Sequence, residues 1–171
     1  VIDATTQATP MTLSQLGEEV PYSIWQLIVG TIPGSIGESS LILIVLAAIY
    51  LIYKKTASWQ IMVSTLIGML GIESIFSLMG ISSFSNPLMA ILSGGFLFAA
   101  VFMATDPVTA PTQANVKIIS GLLVGIIASV IRNFSVFPEG IMFAILIVNS
   151  FVPLMDSIAK NAKSKREKVT I

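Results

Sequence analysis

Residues 61–81 read Ile-Met-Val-Ser-Thr-Leu-Ile-Gly-Met-Leu-Gly-Ile-Glu-Ser-Ile-Phe-Ser-Leu-Met-Gly-Ile, an apolar stretch whose one charged residue is Glu73. A helix needs about 20 mainly apolar residues to cross the hydrocarbon core of a bilayer. This stretch supplies them, and its surroundings repeat the pattern. From Ser74 to Thr105 there is no charged residue, and the second half of that interval, Leu88–Thr105, is a further apolar segment that ends at Asp106-Pro107. Upstream lies Leu41–Tyr53, preceded by Ser39 and Ser40; downstream lie Ile118–Ile131, stopping at Arg132-Asn133, and Ile141–Met155, ending at Asp156.

Five such segments predict an all-α membrane protein with five transmembrane helices. Ile61–Ile81 and Leu88–Thr105 are long enough to span. The other three are shorter, as expected of helices that are tilted, broken or re-entrant beside Gly and Pro. The reading divides the chain into an external segment and linker over 1–35, a five-helix transmembrane domain over 36–158, and a basic tail over 159–171. Composition agrees. Of 171 residues, 54% are apolar and 11% charged, with a mean hydropathy of +0.90, whereas soluble domains carry about a quarter charged residues. Disordered, nucleic-acid-binding and ordinary water-soluble proteins are thereby excluded.

The charges balance in sum, nine basic against nine acidic, but not in place. Lys54 and Lys55 follow the first segment, Lys117 precedes the fourth, and Lys160, Lys163, Lys165, Arg166 and Lys168 fill the tail. With alternating spans these fall on one face, leaving Arg132 alone on the other. The positive-inside rule then predicts a cytoplasmic C-terminus and an external N-terminus. The chain starts with Val, nothing at its start reads as a signal peptide, and it is expected to be a fragment or a processed product. Gly121 and Gly125 form a GxxxG, which permits close helix approach.

The chain has no Cys and no His. No thiolate, disulfide, cysteine-held cluster or imidazole base is available, so chemistry falls to carboxylates, hydroxyls, backbone groups or a borrowed cofactor, and no catalytic residue is nominated. Gly34, Ser35, Gly37 and Glu38, in IPGSIGESS over 32–40, place flexible positions around a carboxylate before a helix start, an arrangement that suits a phosphate and equally a plain connector. Glu73 sits in mid-span, where an ionised carboxylate is expensive. Asp106, Glu139 and Asp156 lie at segment edges. Hard oxygen ligands of this kind suit a small cation, and boundary carboxylates also serve as caps or ion-pair partners. The threonine-rich start, VIDATTQATPM, reads as an exposed loop.

Taken together, Asp3–Pro10, Ile32–Ser40, FMATDPVTA over 102–110 and FPEGIMFAILIVNSFVPLMD over 137–156 resemble one family. Its members are two homologous membrane subunits, the B-type of the sodium-translocating NADH:quinone oxidoreductase and the D-type of the Rnf ferredoxin:NAD oxidoreductase. The resemblance covers essentially the whole chain, as the C-terminal half of such a protein, and the IPGSIGE run and basic tail are closer to the B-type. It implies one half of a ten-span, inverted-repeat, urea-transporter-like bundle in the bacterial cytoplasmic membrane.

It also implies FMN attached by a phosphoester to a Thr in D-x-x-[S/T]-G-A-T. Asp3, Thr6, Ala8 and Thr9 match that pattern, Thr9 as the bearer, while Gln7 stands where Gly is usual. Gly34, Ser35, Gly37 and Glu38 become neighbours of the flavin, and a second flavin would be shared with the other half. Asp106 and Asp156 match family positions and lead Glu73 and Glu139 as ion-path candidates for Na⁺ or H⁺. Expected partners are the other subunits of the complex, the N-terminal half and the lipid bilayer, with no nucleic acid. A solute channel half without redox chemistry, or an anchor for partner redox subunits, are the alternatives, and only the Asp3–Thr9 pattern separates them from the flavin-bearing protein.

Overall fold

A computed structural model describes residues 9, 12–13, 21–34, 37, 39–80, 82, 87–135, 137 and 140–169. Among them the elements are helical and no strand occurs. In chain order they are α1 (Ile24–Val29), α2 (Leu41–Tyr53), α3 (Trp59–Leu78), α4 (Pro87–Leu92) and α5 (Phe96–Phe98). A π-helical turn, Ala99–Met103, continues α5 and leads to α6 (Ala114–Phe134) and α7 (Gly140–Val169). Helix α1 lies inside the segment read as a linker. Ser23 and Gln26 close a reciprocal capping box at its start, and Gly30 ends it in the left-handed region at φ 89°.

Among the described residues three helices are long and apolar enough to cross a membrane: α3, α6 and residues Gly140–Lys165 of α7. Of the five segments read from the sequence, the second, fourth and fifth thus lie in helices of spanning length. The fourth and fifth are longer than their uninterrupted apolar runs, because α6 extends through Asn115 and Lys117 and α7 continues past Asp156 into the basic tail. Helix α2 keeps its 13 residues, about 20 Å of rise. Among its residues only Ile44 is buried, while Leu43, Leu46 and Ile49 face outward at 66%, 57% and 60% exposure, a surface made for apolar surroundings rather than water.

The third segment departs furthest from expectation. It looked like an unbroken span, yet it divides at Ser93-Gly94-Gly95, with Gly94 at φ 68°. A break inside an apolar bundle leaves the carbonyls at the end of α4 short of partners. Arg132 supplies them. Its guanidinium donates to the carbonyls of Ala90 and, at 3.4 Å, Ser93, and it lies over the Phe96 ring, 5.4 Å from the centroid. Arg132 is 2% exposed. Arg132 therefore lies inside the protein, where the broken helix offers it carbonyls and a ring, at the end of α6 opposite Lys117.

Helices α3 and α6 share the most extensive contact, and they run in the same direction. Lys117 Nζ, near the start of α6, donates to Ser58 Oγ at the N-cap of α3 at 2.9 Å, while Ser129 and Asn133 near the end of α6 reach Glu73 late in α3. The broken third segment returns the chain between them. Helix α7 then runs the other way, with Gly140 against Ala128 and Ile131 and Asp156 beside Thr112 and Gln113. Small residues make the α3–α6 approach. A Cβ on Gly125 would overlap the Thr65 carbonyl, and one on Gly121 would lie 2.8 Å from the Ile61 carbonyl. The main core gathers Met69, Phe96, Ala99, Val124, Ala128, Ile141, Ala144 and Val148 around this contact.

Two outcomes follow for the assembled protein in detergent. Gly125→Ala forces the helices apart and costs about 1–3 kcal/mol, as overpacking does, seen as a lower thermal midpoint. Arg132→Leu leaves buried carbonyls unanswered at about 1–3 kcal/mol each and lowers the midpoint further, with Arg132→Lys recovering part of the loss.

Candidate functional site

The sequence-nominated residues fall into three places. The first is the N-terminal turn. Thr9 is half-buried; its carbonyl accepts from Leu13 N at 3.1 Å, its Oγ1 accepts from Thr12 N at 3.3 Å, and the two hydroxyls meet at 2.9 Å. The Thr9 hydroxyl thus caps its own short turn, as Thr side chains do, and no other side chain engages it among the described residues. Gly34 is exposed, and Gly37 is exposed at φ 94°, a conformation that suits glycine. No described hydrogen bond joins these glycines to Thr9. Asp3, Thr6, Ala8, Ser35, Glu38 and Glu139 lie outside the described residues.

The second place is the end of the bundle where α6 begins. After the π-helical turn, Asp106 accepts from Thr109 Oγ1 at 3.0 Å and Val108 N at 3.4 Å, an Asx-type turn set up by Pro107. Thr109 is bridged in turn by Asn149 Nδ2 at 3.3 Å. Asp156 is buried and holds the next part of the same loop, accepting from Thr112 Oγ1 at 2.7 Å, Thr112 N at 2.9 Å and Gln113 N at 3.4 Å. Pro153 within α7 has no N–H to give the Asn149 carbonyl. A cavity of about 260 Å³, lined by Gln113, Asn115, Ala159, Ala162 and Lys163, opens beside this loop. The loop between Thr105 and Gln113 is therefore bound to α7 at two points, each ending on a carboxylate.

The third place surrounds Glu73, which is fully buried. Its Oε2 accepts from Ser129 Oγ at 2.7 Å and Asn133 Nδ2 at 2.9 Å, and its Oε1 accepts from Ser82 Oγ. Ser129 lies sixteen positions along α6 from Gln113, which separates the two carboxylate places by about 24 Å along the helix. The structure therefore brings Asp106 and Asp156 to one loop and keeps Glu73 apart. No group of three or more acidic side chains gathers among the described residues. Ser82, Thr109, Thr112 and Ser129 were not legible as partners in the sequence. Serines and threonines in apolar helices commonly bond their own backbone, and nothing in their spacing announced these contacts.

Comparison with known proteins settles the family. The model of the NQR2, RnfD, RnfE family matches residues 1–165. A relative from Chromohalobacter salexigens, named as the B-type subunit of a Na(+)-translocating NADH-quinone reductase, is 41% identical over 152 residues, covering 85% of this chain and 36% of its own length. A Klebsiella pneumoniae protein of the same name is 38% identical over 156 residues, covering 87% of this chain and 37% of its own. One from Ectopseudomonas mendocina is 41% identical over 145 residues, covering 81% and 36%. The chain spans a little over a third of the length of these relatives. It belongs to the NQR2, RnfD, RnfE family.

Proposed function

We propose that this chain is the C-terminal half of the flavin-bearing membrane subunit of a redox-driven cation pump in the bacterial cytoplasmic membrane. Its N-terminal turn faces outward and its basic tail the cytoplasm. The observation that carries the reading is the Asp3, Thr6, Ala8, Thr9 pattern, ending at a half-buried hydroxyl that among the described residues bonds only within its own turn. Relatives named for a sodium-translocating NADH-quinone reductase support the choice of Na⁺ as the ion and NADH and quinone as the remote donor and acceptor. The bundle is completed by an N-terminal half with five further spans, and the complex by other redox subunits. A second flavin would lie against that N-terminal half.

The residues fit the cofactor. Esterifying Thr9 Oγ1 replaces its hydrogen and leaves an ester oxygen that still accepts from Thr12 N, while the Thr12 hydroxyl is free to turn toward a phosphate oxygen. Asp3, Thr6 and Ala8 would shape the recognition segment, and Gly34, Ser35, Gly37 and Glu38 would flank the group. FMN bound there supplies the electron transfer that a chain without Cys or His cannot provide. At the opposite face, the loop between Asp106 and Asp156 offers hard oxygen ligands to a cation entering beside α7. Glu139 would extend that path on the outer side.

Thr9→Ala is expected to abolish flavin fluorescence of the protein on a denaturing gel when it is produced with a flavin transferase. A dark wild-type band from that host would overturn covalent attachment. In the intact complex, Asp106→Asn is expected to raise the sodium concentration for half-maximal turnover about tenfold, equivalent to about 1.4 kcal/mol of binding. Unchanged sodium dependence and rate would make Asp106 a turn residue only.

A further inference from the structure

Glu73 is 0% exposed, within a helix long and apolar enough to cross a membrane. A bare carboxylate in such surroundings is expensive, so its charge must be matched. All of its described contacts are neutral: Ser82 Oγ, Ser129 Oγ at 2.7 Å and Asn133 Nδ2 at 2.9 Å. Among the described residues, Arg132 and Lys117 of α6 and Asp156 of α7 have other partners. Arg132, next to Asn133 on α6, is engaged by the Ala90 and Ser93 carbonyls and the Phe96 ring. Lys117 is at the other end of α6 on Ser58, and Asp156 of α7 is on Thr112. Helices α4 and α5 and the π-helical turn contain no charged residue.

The neighbours of Glu73 are all capable of presenting oxygen. A serine hydroxyl oxygen can accept or coordinate as well as donate, and an Asn amide carries Oδ1 beside its Nδ2. The Ser129 carbonyl, which accepts from Asn133 Nδ2 at 3.0 Å, lies in the same cluster. The fold assembles this set from distant parts of the chain. Gly80 at φ 70° reverses the backbone after α3, and Ser82 N closes on the Phe76 carbonyl at 3.2 Å, carrying the Ser82 hydroxyl back to Glu73. The Phe76 and Phe134 rings meet edge to face at 5.5 Å at the same end of the two helices. One carboxylate among neutral oxygens balances one positive charge; a divalent ion would leave excess charge in an apolar interior.

We propose that Glu73, Ser82, Ser129 and Asn133 form a sodium-binding site. It lies at the end of the α3–α6 pair opposite the Asp106 and Asp156 loop. The site rests on the cation-pump reading for the identity of its ion and extends that reading to a second station, about 24 Å along α6 from the first. Its four side chains come from α3, the turn after it and α6, so occupancy would bind the two parallel helices together.

The test uses the intact complex in detergent. Bound ²²Na⁺ is measured by equilibrium dialysis at constant ionic strength, with choline as the replacement ion, for wild type, Glu73→Gln, Ser129→Ala and Asp106→Asn. The expected result is one Na⁺ fewer per complex in Glu73→Gln and about tenfold weaker binding of one ion in Ser129→Ala, which keeps the carboxylate and so decides the matter if Glu73→Gln does not assemble. Wild-type affinity and stoichiometry in either variant would overturn the site. If Asp106→Asn alone loses an ion, the pump reading stands without this site; if wild type binds none, both fail.

Discussion

The parallel contact between α3 and α6 is the constraint on which the rest of the structure depends. Its closeness comes from the absence of side chains at Gly121 and Gly125, opposite Ile61, Ser64, Thr65 and Met69. In an apolar solvent, helices gain little by hiding Leu and Ile from their surroundings, so backbone approach and polar contacts determine where they settle. Here the approach sets one register along the whole pair. It puts Lys117 on Ser58 at one end and Ser129 and Asn133 on Glu73 at the other.

Because the two helices point the same way, the chain must return between them, and that return is the broken third segment. Breaking a helix among apolar neighbours exposes carbonyls that only the protein can satisfy. Arg132, carried by α6, answers the Ala90 and Ser93 carbonyls. One helix therefore supplies the donors for a buried carboxylate on one neighbour and the cation for an interrupted helix on another. Helix α7 completes the arrangement by running back along α6, and Asp156 holds the loop that lets α6 begin.

The helical, membrane-suited character of the chain was legible from the absence of charge between Ser74 and Thr105 and from the five apolar segments. Their lengths were not. Counting uninterrupted apolar residues underestimates α6, whose first turns contain Asn115 and Lys117, and α7, which continues into lysines. It overestimates Leu88–Thr105, because an uninterrupted apolar run does not reveal the break at Gly94-Gly95. The site residues were legible as types, carboxylates in unusual places, without their groupings. Asp106 and Asp156 come to one loop through Thr109, Thr112 and Asn149, whereas Glu73 turned out to be solvated by serines and an asparagine from elsewhere in the chain.

What the sequence determined by itself is what depends on composition and short-range pattern. That covers a helical chain matched to an apolar solvent, basic residues gathered near a few segment ends and in the tail, and the lack of any thiol or imidazole. What only the tertiary structure decided is how polar groups find each other across that solvent. Arg132 stood out in the sequence only as the basic residue apart from the rest, and it is held inside by carbonyls that a distant helix break freed. Glu73 was a lone charge in a span and is matched by the Ser82 hydroxyl just past the end of its own helix and by Ser129 and Asn133 far along the chain. Such pairings follow from helix register and close approach, and those are set by the packing of whole helices rather than by any local stretch of residues.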